Sequence, residues 1–377
     1  MIDRVSILGI DASFIASGGA INHIKNLIEH TNNNNIHFHQ IFIWGPSNVL
    51  SSIPNKPYVI KKTNYFLNGP KLLKLMWCIF FMKKELNACN IGLLYGLNGI
   101  NFCRFDFYVG LSQNLLPFVS GQISGFKNFP LIALKLILIK KFQIASYKQS
   151  SGYIFLTNYS QSIFNKLLFS RKSSTIIPHG INAIPLPLPN QVSDKNIINL
   201  VYVSPIDLYK NHVNVIHAVN MYNHKNSKKI ILHLVGGFGT GYKASLSAVR
   251  KFHMESDVKF YGQLPPTEVA NILGEMDASI FASSCENFPI TILETMILKL
   301  PLLCSNIRPM TDILQKDAVF FDPLRISSIY SSFLRLNSIE TLKNNVHRAH
   351  ATALKYDWNK ASANSFLYLY NVYKEVR

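Results

Sequence analysis

Short apolar runs alternate with segments of helix length along nearly the whole chain. The runs are rich in Val, Ile, Leu, Tyr and Phe, which favour buried strands. Ten strands are predicted on this basis, at residues 5–10, 39–44, 92–95, 107–111, 153–156, 175–177, 198–203, 230–235, 258–261 and 279–282. Strands that are apolar throughout and separated by helices are typical of parallel sheets covered on both faces. The sequence therefore predicts an α/β protein with parallel sheets.

A proline-containing stretch interrupts this alternation. Pro185, Pro187 and Pro189 are followed by the polar residues 191–196. Alternating prolines exclude a regular helix and a central strand, because proline has no N–H and a fixed φ. We predict an interdomain linker here, with an N-terminal domain at 1–188 and a second domain at 189–356. A last helix is predicted at 360–375, and no internal repeat is found.

The net charge of +18 is unevenly distributed. Residues 1–190 contain 18 Lys and Arg against 5 Asp and Glu, whereas residues 191–377 contain 20 against 15. Lys61, Lys62, Lys71, Lys74, Lys83 and Lys84 bracket the apolar segment 72–82, and Lys135, Lys140 and Lys141 interrupt a second apolar segment. This arrangement suits an anionic membrane surface. The alternative is that both helices pack within the N-terminal domain, with the lysine stems lying on apolar surface.

The apolar segments are too short or too interrupted to predict a membrane-spanning helix. The first of them is cut by Asp11 and lacks the features of a secretory signal, so we expect a cytoplasmic protein. The five cysteines form no C-x-x-C pair. An odd number in this arrangement argues against a disulfide framework and a structural zinc site, and reduced thiols are expected.

The segment 278–309 carries the most specific chemistry. A strand at 278–282 leads through a loop into a helix that can begin at Pro289, and seven residues separate Glu286 from Glu294. The amides at a helix N-terminus suit a phosphate, and the Glu294 carboxylate can accept hydrogen bonds from ribose hydroxyls. We predict a sugar-nucleotide site here. Four further residues, at the end of the loop and the start of the helix, are predicted to bind the donor: Asn287, Phe288, Pro289 and Ile290.

The sequence from Glu286 to Thr291, followed by Leu-Glu-Thr-Met from residue 293, resembles the E-x7-E signature of retaining glycosyltransferases of family 4. Residues 300–310 and 319–323 also resemble the C-terminal domain of that family. The resemblance implies the GT-B fold, in which two Rossmann-like domains with parallel sheets face each other across a cleft that holds the donor. It also implies that the C-terminal helix, at 357–377, completes the first domain.

Two further segments resemble parts of the family's diphosphate site. Gly18 and Gly19 follow the first strand and open a helix, where glycines let backbone amides approach a phosphate closely. In residues 202–212, Lys210 matches the family's lysine, whereas Ser204 stands where the family has an arginine. The resemblance implies that both positions contact the donor. One cation is therefore expected at the diphosphate, and a compact ammonium cannot replace a bidentate guanidinium.

Residues 111–118 resemble the segment that ends a strand near the donor sugar. Many family members have histidine at the position of Gln113. Glutamine can bind sugar hydroxyls but cannot exchange a proton near neutral pH, so a general base is excluded there. Asn114 and His179, the latter in a segment similar to one near the family's cleft, are possible cleft residues, although a lone histidine is often structural.

Other ligand classes lack a matching pattern. The glycines at 236–241 fit neither the dinucleotide nor the P-loop motif, because Tyr242 takes the place of the required lysine. No Asp-x-Asp occurs, and His and Cys show no metal-ligand spacing. No cofactor is expected beyond the nucleotide-sugar donor, and metal independence is predicted.

We predict a hexosyltransferase that moves a sugar from a UDP- or GDP-sugar to a glycan or polyprenyl-diphosphate-linked acceptor, as in O-antigen synthesis. Lys210, Glu286 and Gln113 are the predicted catalytic residues. The expected location is the cytoplasmic face of the inner membrane. Three alternatives stay open: a GT-B sugar-nucleotide epimerase, a noncatalytic glycosyltransferase homologue, and a basic nucleic-acid-binding protein. The last is disfavoured because no nucleic-acid-binding module is recognised.

Overall fold

A computed structural model describes residues 6–15, 18–32, 36–168, 173–182 and 196–376, with the backbone alone at 168 and 338–341. The chain divides into two compact units. Unit 1 comprises Met1–Ile123, Phe129–Gly180 and Tyr356–Arg377, and unit 2 comprises Ser124–Asn128 and Ile181–Lys355. The predicted linker lies, apart from Asn196, outside the described residues, so the predicted domain boundaries stay predictions.

Each unit is built on one parallel sheet. The strands are β1 Ile7–Asp11, β2 Gln40–Trp44, β3 Val59–Lys62, β4 Leu93–Gly96, β5 Tyr108–Ser112, β6 Gly152–Phe155, β7 Ser174–Ile176, β8 Ile197–Val203, β9 Lys229–Val235, β10 Val258–Gly262, β11 Ala278–Phe281, β12 Leu302–Ser305 and β13 Val319–Phe321. Unit 1 has the order β3-β2-β1-β4-β5-β6-β7, and unit 2 has β10-β9-β8-β11-β12-β13. Neighbouring strands pair in parallel throughout both sheets. The α/β prediction is confirmed.

Helices connect the strands, as parallel pairing requires. They are α1 Gly19–Glu29, α2 Ser47–Leu50, α3 Tyr65–Asn68, α4 Lys71–Met76, α5 Met82–Ala88, α6 Pro130–Gln149, α7 Asn158–Leu168, α8 His212–Lys225, α9 Tyr242–Lys251, α10 Pro266–Gly274, α11 Ile290–Ile297, α12 Met310–Leu314, α13 Ile326–Phe333, α14 Lys343–Ala353 and α15 Trp358–Glu375. A π-helical turn, Trp77–Phe81, joins α4 to α5. Short 3-10 helices occur at Ser124–Phe126, Leu208–Lys210 and Leu334–Leu342.

All ten predicted strands are present, and three further strands were missed. The central strands β4, β5, β6, β11 and β12 are buried along their whole length, which explains their continuous apolar sequences. The edge strand β3 ends in two lysines and is only half-buried, and the edge strand β13 has three residues. Strand β12 begins just after Pro301 and close behind α11, so its short apolar run follows that of the helix with little to mark it as a separate strand.

Helix α15 packs into unit 1. The Ser362 hydroxyl donates to the Leu27 carbonyl of α1 over 2.8 Å, and the Tyr368 hydroxyl accepts from the Tyr153 amide of β6 over 3.1 Å. Gly180 fixes the entry of this helix, since a Cβ there would lie 2.2 Å from the Trp358 backbone nitrogen. Unit 1 is thus completed by residues that follow unit 2 in the sequence.

Two buried histidines lie under the start of α15. His23 and His179 bring their Nδ1 atoms to 3.1 Å, and both rings pack against Trp358, with centroids 5.9 and 5.4 Å from the indole. Burial lowers the pKa of His23 to about 4 and that of His179 well below its usual value. The pair is therefore neutral at pH 7, and His179 packs in the interior of unit 1. Only 5% of its surface is exposed, and its predicted place among the cleft residues stays a prediction.

We expect unit 1 to lose stability as the pH falls from about 6.5 towards 4. Over that range His23 binds a proton in the unfolded chain but stays neutral in the folded protein, so the unfolded state binds more protons. One such group lowers the free energy of unfolding by about 1.4 kcal/mol per pH unit. Urea unfolding at several pH values measures the slope for the wild type and for His23→Gln. An unchanged slope in the variant would contradict the assignment.

Among the described residues, no helix is both long enough and apolar enough to cross a membrane. All five cysteines are free, as expected.

Candidate functional site

The predicted catalytic pair of unit 2 forms at the carboxyl edge of its sheet. Strands β8 and β11 are neighbours, so the loops that follow them leave the sheet side by side. Lys210 lies in the first loop and Glu286 in the second. The Lys210 Nζ donates to Glu286 Oε1 over 2.5 Å, and both side chains are largely buried. The structure therefore brings these two predicted residues into direct contact.

Aromatic rings enclose the lysine. Its Nζ lies 5.2 Å from the ring centre of Tyr209 and 5.0 Å from that of Phe281. The Tyr202 hydroxyl donates to the Lys210 carbonyl over 2.8 Å, and the Tyr202 ring stacks on His212 at 4.4 Å. Ring faces favour a cation, and removal of water strengthens its field. The surroundings thus hold one positive charge in a fixed, nearly dry position.

Backbone-directed hydrogen bonds tie the two loops together. Asn211 has a left-handed φ of 55°, and its Nδ2 donates to the Ala282 carbonyl over 2.7 Å. Asparagine tolerates this conformation better than most residues. The Ser284 amide and hydroxyl both donate to the Tyr209 carbonyl, over 2.8 and 3.0 Å. These bonds fix the separation of Lys210 and Glu286 through the main chain.

Helix α11 follows the second loop and begins one residue later than predicted, because Pro289 is its N-cap. The cap makes no side-chain hydrogen bond, and the first turn contains no acidic residue. The positive end of the helix dipole is therefore not neutralised by its own first turn. Asn287 and Phe288, which precede the cap, are buried. The arrangement can accept an anion at Ile290 and the residues around it.

Glu294 lies one turn inside α11 and is half-buried. Burial raises the pKa of its carboxyl. Within the described residues, no hydrogen bond or ion pair involves this carboxylate. A partly buried acceptor without a protein partner is suited to bind hydroxyls supplied by a ligand.

The Ser204 side chain forms a hydrogen bond within its own loop. It is buried, and its hydroxyl donates to the Pro205 carbonyl over 3.0 Å. The glycine loop after β9 packs directly on it: Gly236 has φ 149°, and a Cβ there would lie 2.2 Å from the Ser204 carbonyl oxygen. The residue therefore supports the loop that carries Lys210. Its predicted contact with the donor stays a prediction.

Sequence reasoning missed the aromatic part of the site. Tyr209 and Phe281 carry no charge, so the sequence pattern identifies them only as a loop residue and a strand residue. Phe238, at the tip of the glycine loop, is exposed and stacks on Tyr242 with ring centres 4.1 Å apart. Phe238 stands between two glycines in the sequence, and glycines have no side chain that could cover its ring. The sequence therefore indicated that this ring is exposed.

The predicted residues of unit 1 lie after strands of its own sheet. Gly18, with φ 66°, is the N-cap of α1, and a Cβ on Gly19 would meet no atom within 4 Å. Gln113 follows β5, and its buried Nε2 has no hydrogen-bond partner among the described residues. Asn114 is exposed and accepts from the Leu116 amide over 3.0 Å. The ligand roles of these residues stay predictions.

No three His, Cys, Asp or Glu side chains are grouped as metal ligands in the described part of the chain. This observation concerns the residues alone, and the predicted metal independence stays a prediction.

Residues 189–349 match the family model described as Glycosyl transferases group 1. A search of curated proteins gave no match. Among solved structures, sucrose-phosphate synthase from Thermosynechococcus elongatus is similar with a TM-score of 0.77 and 15% identity, covering 99% of this chain and 100% of that one.

Two other solved structures are similar over nearly the whole chain. WaaG, a glycosyltransferase involved in lipopolysaccharide biosynthesis, has a TM-score of 0.69 and 14% identity, covering 96% of this chain and 98% of its own. Anabaena HepE, solved with UDP and glucose, has a TM-score of 0.64 and 15% identity, and the match covers 95% of this chain and 97% of HepE.

The fold and the family match define the class of protein. The two parallel sheets and the structural neighbours establish the GT-B fold. The match of residues 189–349 to the glycosyltransferase model, together with this fold, supports a transferase enzyme.

Proposed function

We propose that this glycosyltransferase moves a sugar from a UDP- or GDP-sugar to a glycan or a polyprenyl-diphosphate-linked acceptor, with retention of configuration. The observation that carries the proposal is the buried pair of Lys210 and Glu286 beside the open N-terminus of α11. One fixed cation and one helix dipole suit a diphosphate, and the unpaired Glu294 suits the ribose. The family-4 signature supports retention.

The proposed chemistry is electrostatic. The acceptor oxygen bonds to the anomeric carbon while the bond from that carbon to the diphosphate oxygen breaks. The acceptor proton passes to a diphosphate oxygen on the same face, so configuration is preserved without a protein nucleophile. Lys210 and the amides of α11 stabilise the departing diphosphate, and Glu286 holds the lysine and faces the sugar. No metal is required in this scheme.

Two features support a membrane-bound acceptor in surface polysaccharide synthesis. The N-terminal half of the chain carries most of the net charge, which favours an anionic partner. WaaG, similar over nearly the whole chain, is involved in lipopolysaccharide biosynthesis. We infer peripheral attachment at the cytoplasmic face of the inner membrane, which places the enzyme beside a polyprenyl-linked sugar.

The donor nucleotide can be identified by thermal unfolding in EDTA with UDP, GDP and their sugar conjugates. A nucleotide at 100 times its dissociation constant adds about 2.7 kcal/mol to the free energy of unfolding. We expect one base to stabilise the protein and the other to have little effect. If neither nucleotide stabilises the protein in EDTA but one does so in Mg²⁺, the predicted metal independence is wrong. If neither nucleotide stabilises the protein in Mg²⁺ either, the proposed donor class is wrong.

A further inference from the structure

Two neighbouring helical segments of unit 1 expose large apolar side chains to solvent. One comprises α4 with the π-helical turn, and the other is α6. Leu131 is 82% exposed, Phe80 69% and Leu72 68%. The remaining exposed side chains are Met76, Ile79, Phe81, Leu134, Ile137, Leu138 and Phe142. We call these ten residues the apolar face, and its size marks an interaction surface.

Helical register explains the outward face of the first segment. Leu72, Met76, Ile79 and Phe80 are spaced by four, three and one residues, which places them on one side of a helix. The opposite side, with Trp77, Cys78 and Met82, is buried in the core of unit 1. The segment thus has two apolar sides, and one of them faces solvent.

Helix α6 repeats this arrangement. Leu131, Leu134, Leu138 and Phe142 follow one side of the helix, whereas Leu136, Gln143 and Tyr147 are buried. A soluble helix normally presents polar residues on its outer side. Apolar residues on both sides are expected where the outer side meets another apolar phase.

Lysines join the two segments. Partial burial lowers the pKa of Lys135 of α6, and Lys71 of α4 lies close enough to lower it further. Lys74, Lys140 and Lys141 lie on the same two helices. Like charges held together on an apolar surface need a negatively charged partner.

Acidic residues do not compensate these lysines. Glu85 and Asp106 are the only acidic residues between positions 71 and 149. Glu85 accepts a hydrogen bond from Trp44 Nε1 over 3.0 Å, and Asp106 pairs with Lys83 over 3.2 Å. The lysines of α4 and α6 therefore remain available to an external anion.

We propose that the apolar face inserts into an anionic phospholipid bilayer, with Lys71, Lys74, Lys135, Lys140 and Lys141 at the headgroups. Large apolar side chains with flanking lysines fit the boundary between headgroups and acyl chains, whereas a soluble polyanion would leave the leucines in water. This inference rests on the proposed function for the acceptor, and it assigns the docking surface and insertion as the binding mode.

Tryptophan reporters test insertion directly. The three native tryptophans, Trp44, Trp77 and Trp358, are buried, so an added exposed tryptophan reports its own surroundings. The reporters are Phe80→Trp and Leu131→Trp, with Leu324→Trp in unit 2 as the matched control, since Leu324 is 67% exposed. With phosphatidylglycerol vesicles, both reporters should shift to shorter wavelength and be quenched by brominated acyl chains. The control should do neither.

A second pair of variants tests affinity. Leu72→Gln with Phe80→Gln should weaken co-sedimentation with these vesicles by about tenfold or more, because two large apolar burials are lost. The control, Leu324→Gln with Leu354→Gln, should leave binding unchanged. Part of the binding should persist at 0.5 M salt, where the Debye length is about 4 Å, because insertion is not screened.

Three results would overturn the proposal. The protein could sediment with vesicles while both reporters stay in water, which would indicate adsorption through another surface. The reporters could shift with protein concentration and without lipid, which would indicate contact with a second copy of the chain. Phosphatidylcholine could act as well as phosphatidylglycerol, which would remove the role of the lysines. Nucleotide-induced thermal shifts on the same variants test the proposed donor site separately.

Discussion

Replacing Lys210 by alanine is expected to lower turnover about 100-fold or more, the scale of losing one preorganised charge-stabilising donor. The ammonium is held between Glu286, Tyr209 and Phe281, so water cannot readily substitute for it. Loss of this cation leaves the departing diphosphate with the helix dipole alone. Sugar transfer under saturating donor and acceptor measures the effect on kcat.

Two controls separate chemistry from folding in this experiment. Lys243→Ala removes an exposed lysine from α9 and should leave kcat unchanged. Lys210→Arg keeps the charge in a different shape and should recover only part of the loss. Because Lys210→Ala also leaves the Glu286 carboxylate largely buried without its cation, urea unfolding must show a folded variant. A folded Lys210→Ala variant with near-normal kcat would refute the electrostatic mechanism.

Replacing Glu294 is expected to abolish nucleotide stabilisation while leaving the free protein at least as stable. Burial disfavours its charged form, and within the described residues its carboxylate has no partner, so Glu294→Gln removes a cost of folding. The same change removes the proposed acceptor for the ribose hydroxyls. Thermal unfolding with and without UDP or GDP measures both effects.

Glu268→Gln is the matched control, since Glu268 is exposed on α10. It should preserve the full nucleotide shift. A Glu294→Gln variant that is destabilised without ligand, and still stabilised by nucleotide, would show that Glu294 serves the fold and not the donor. The opposite changes in apo stability and in ligand response therefore distinguish a binding residue from a structural one.

The contact between Lys210 and Glu286 could be expected from the sequence because both follow strands that are apolar along their length. Parallel strands leave the sheet at the same edge, so two chemically suited loops meet there without any long-range information. Strands β3 and β12 were missed for a related reason. The first carries two lysines on a half-buried edge, and the second continues the apolar sequence of the preceding helix.

His179 and Ser204 show what local sequence leaves open. Both belong to segments that resemble functional parts of a family, but the packing of distant elements determines their exposure. Trp358, 179 residues beyond His179 in the chain, covers the histidine, and the loop containing Gly236 covers the serine. The sequence pointed to the apolar segments of α4 and α6 beside their lysines, but it left open whether they face solvent or the interior of unit 1, since an apolar residue reveals nothing about the direction in which it points.

The completion of unit 1 by α15 determines the order in which the chain can mature on the ribosome. Domains usually fold as they are synthesised, beginning with the first. Here the buried side chains of Trp358, Phe366 and Leu369 belong to unit 1 but are translated after residues 181–355. While the second unit is synthesised, the first sheet therefore lacks α15, and the surfaces of α1 and β6 that this helix covers remain exposed. Unit 2 can close first, and chaperones would be needed mainly by the segment that was synthesised earliest.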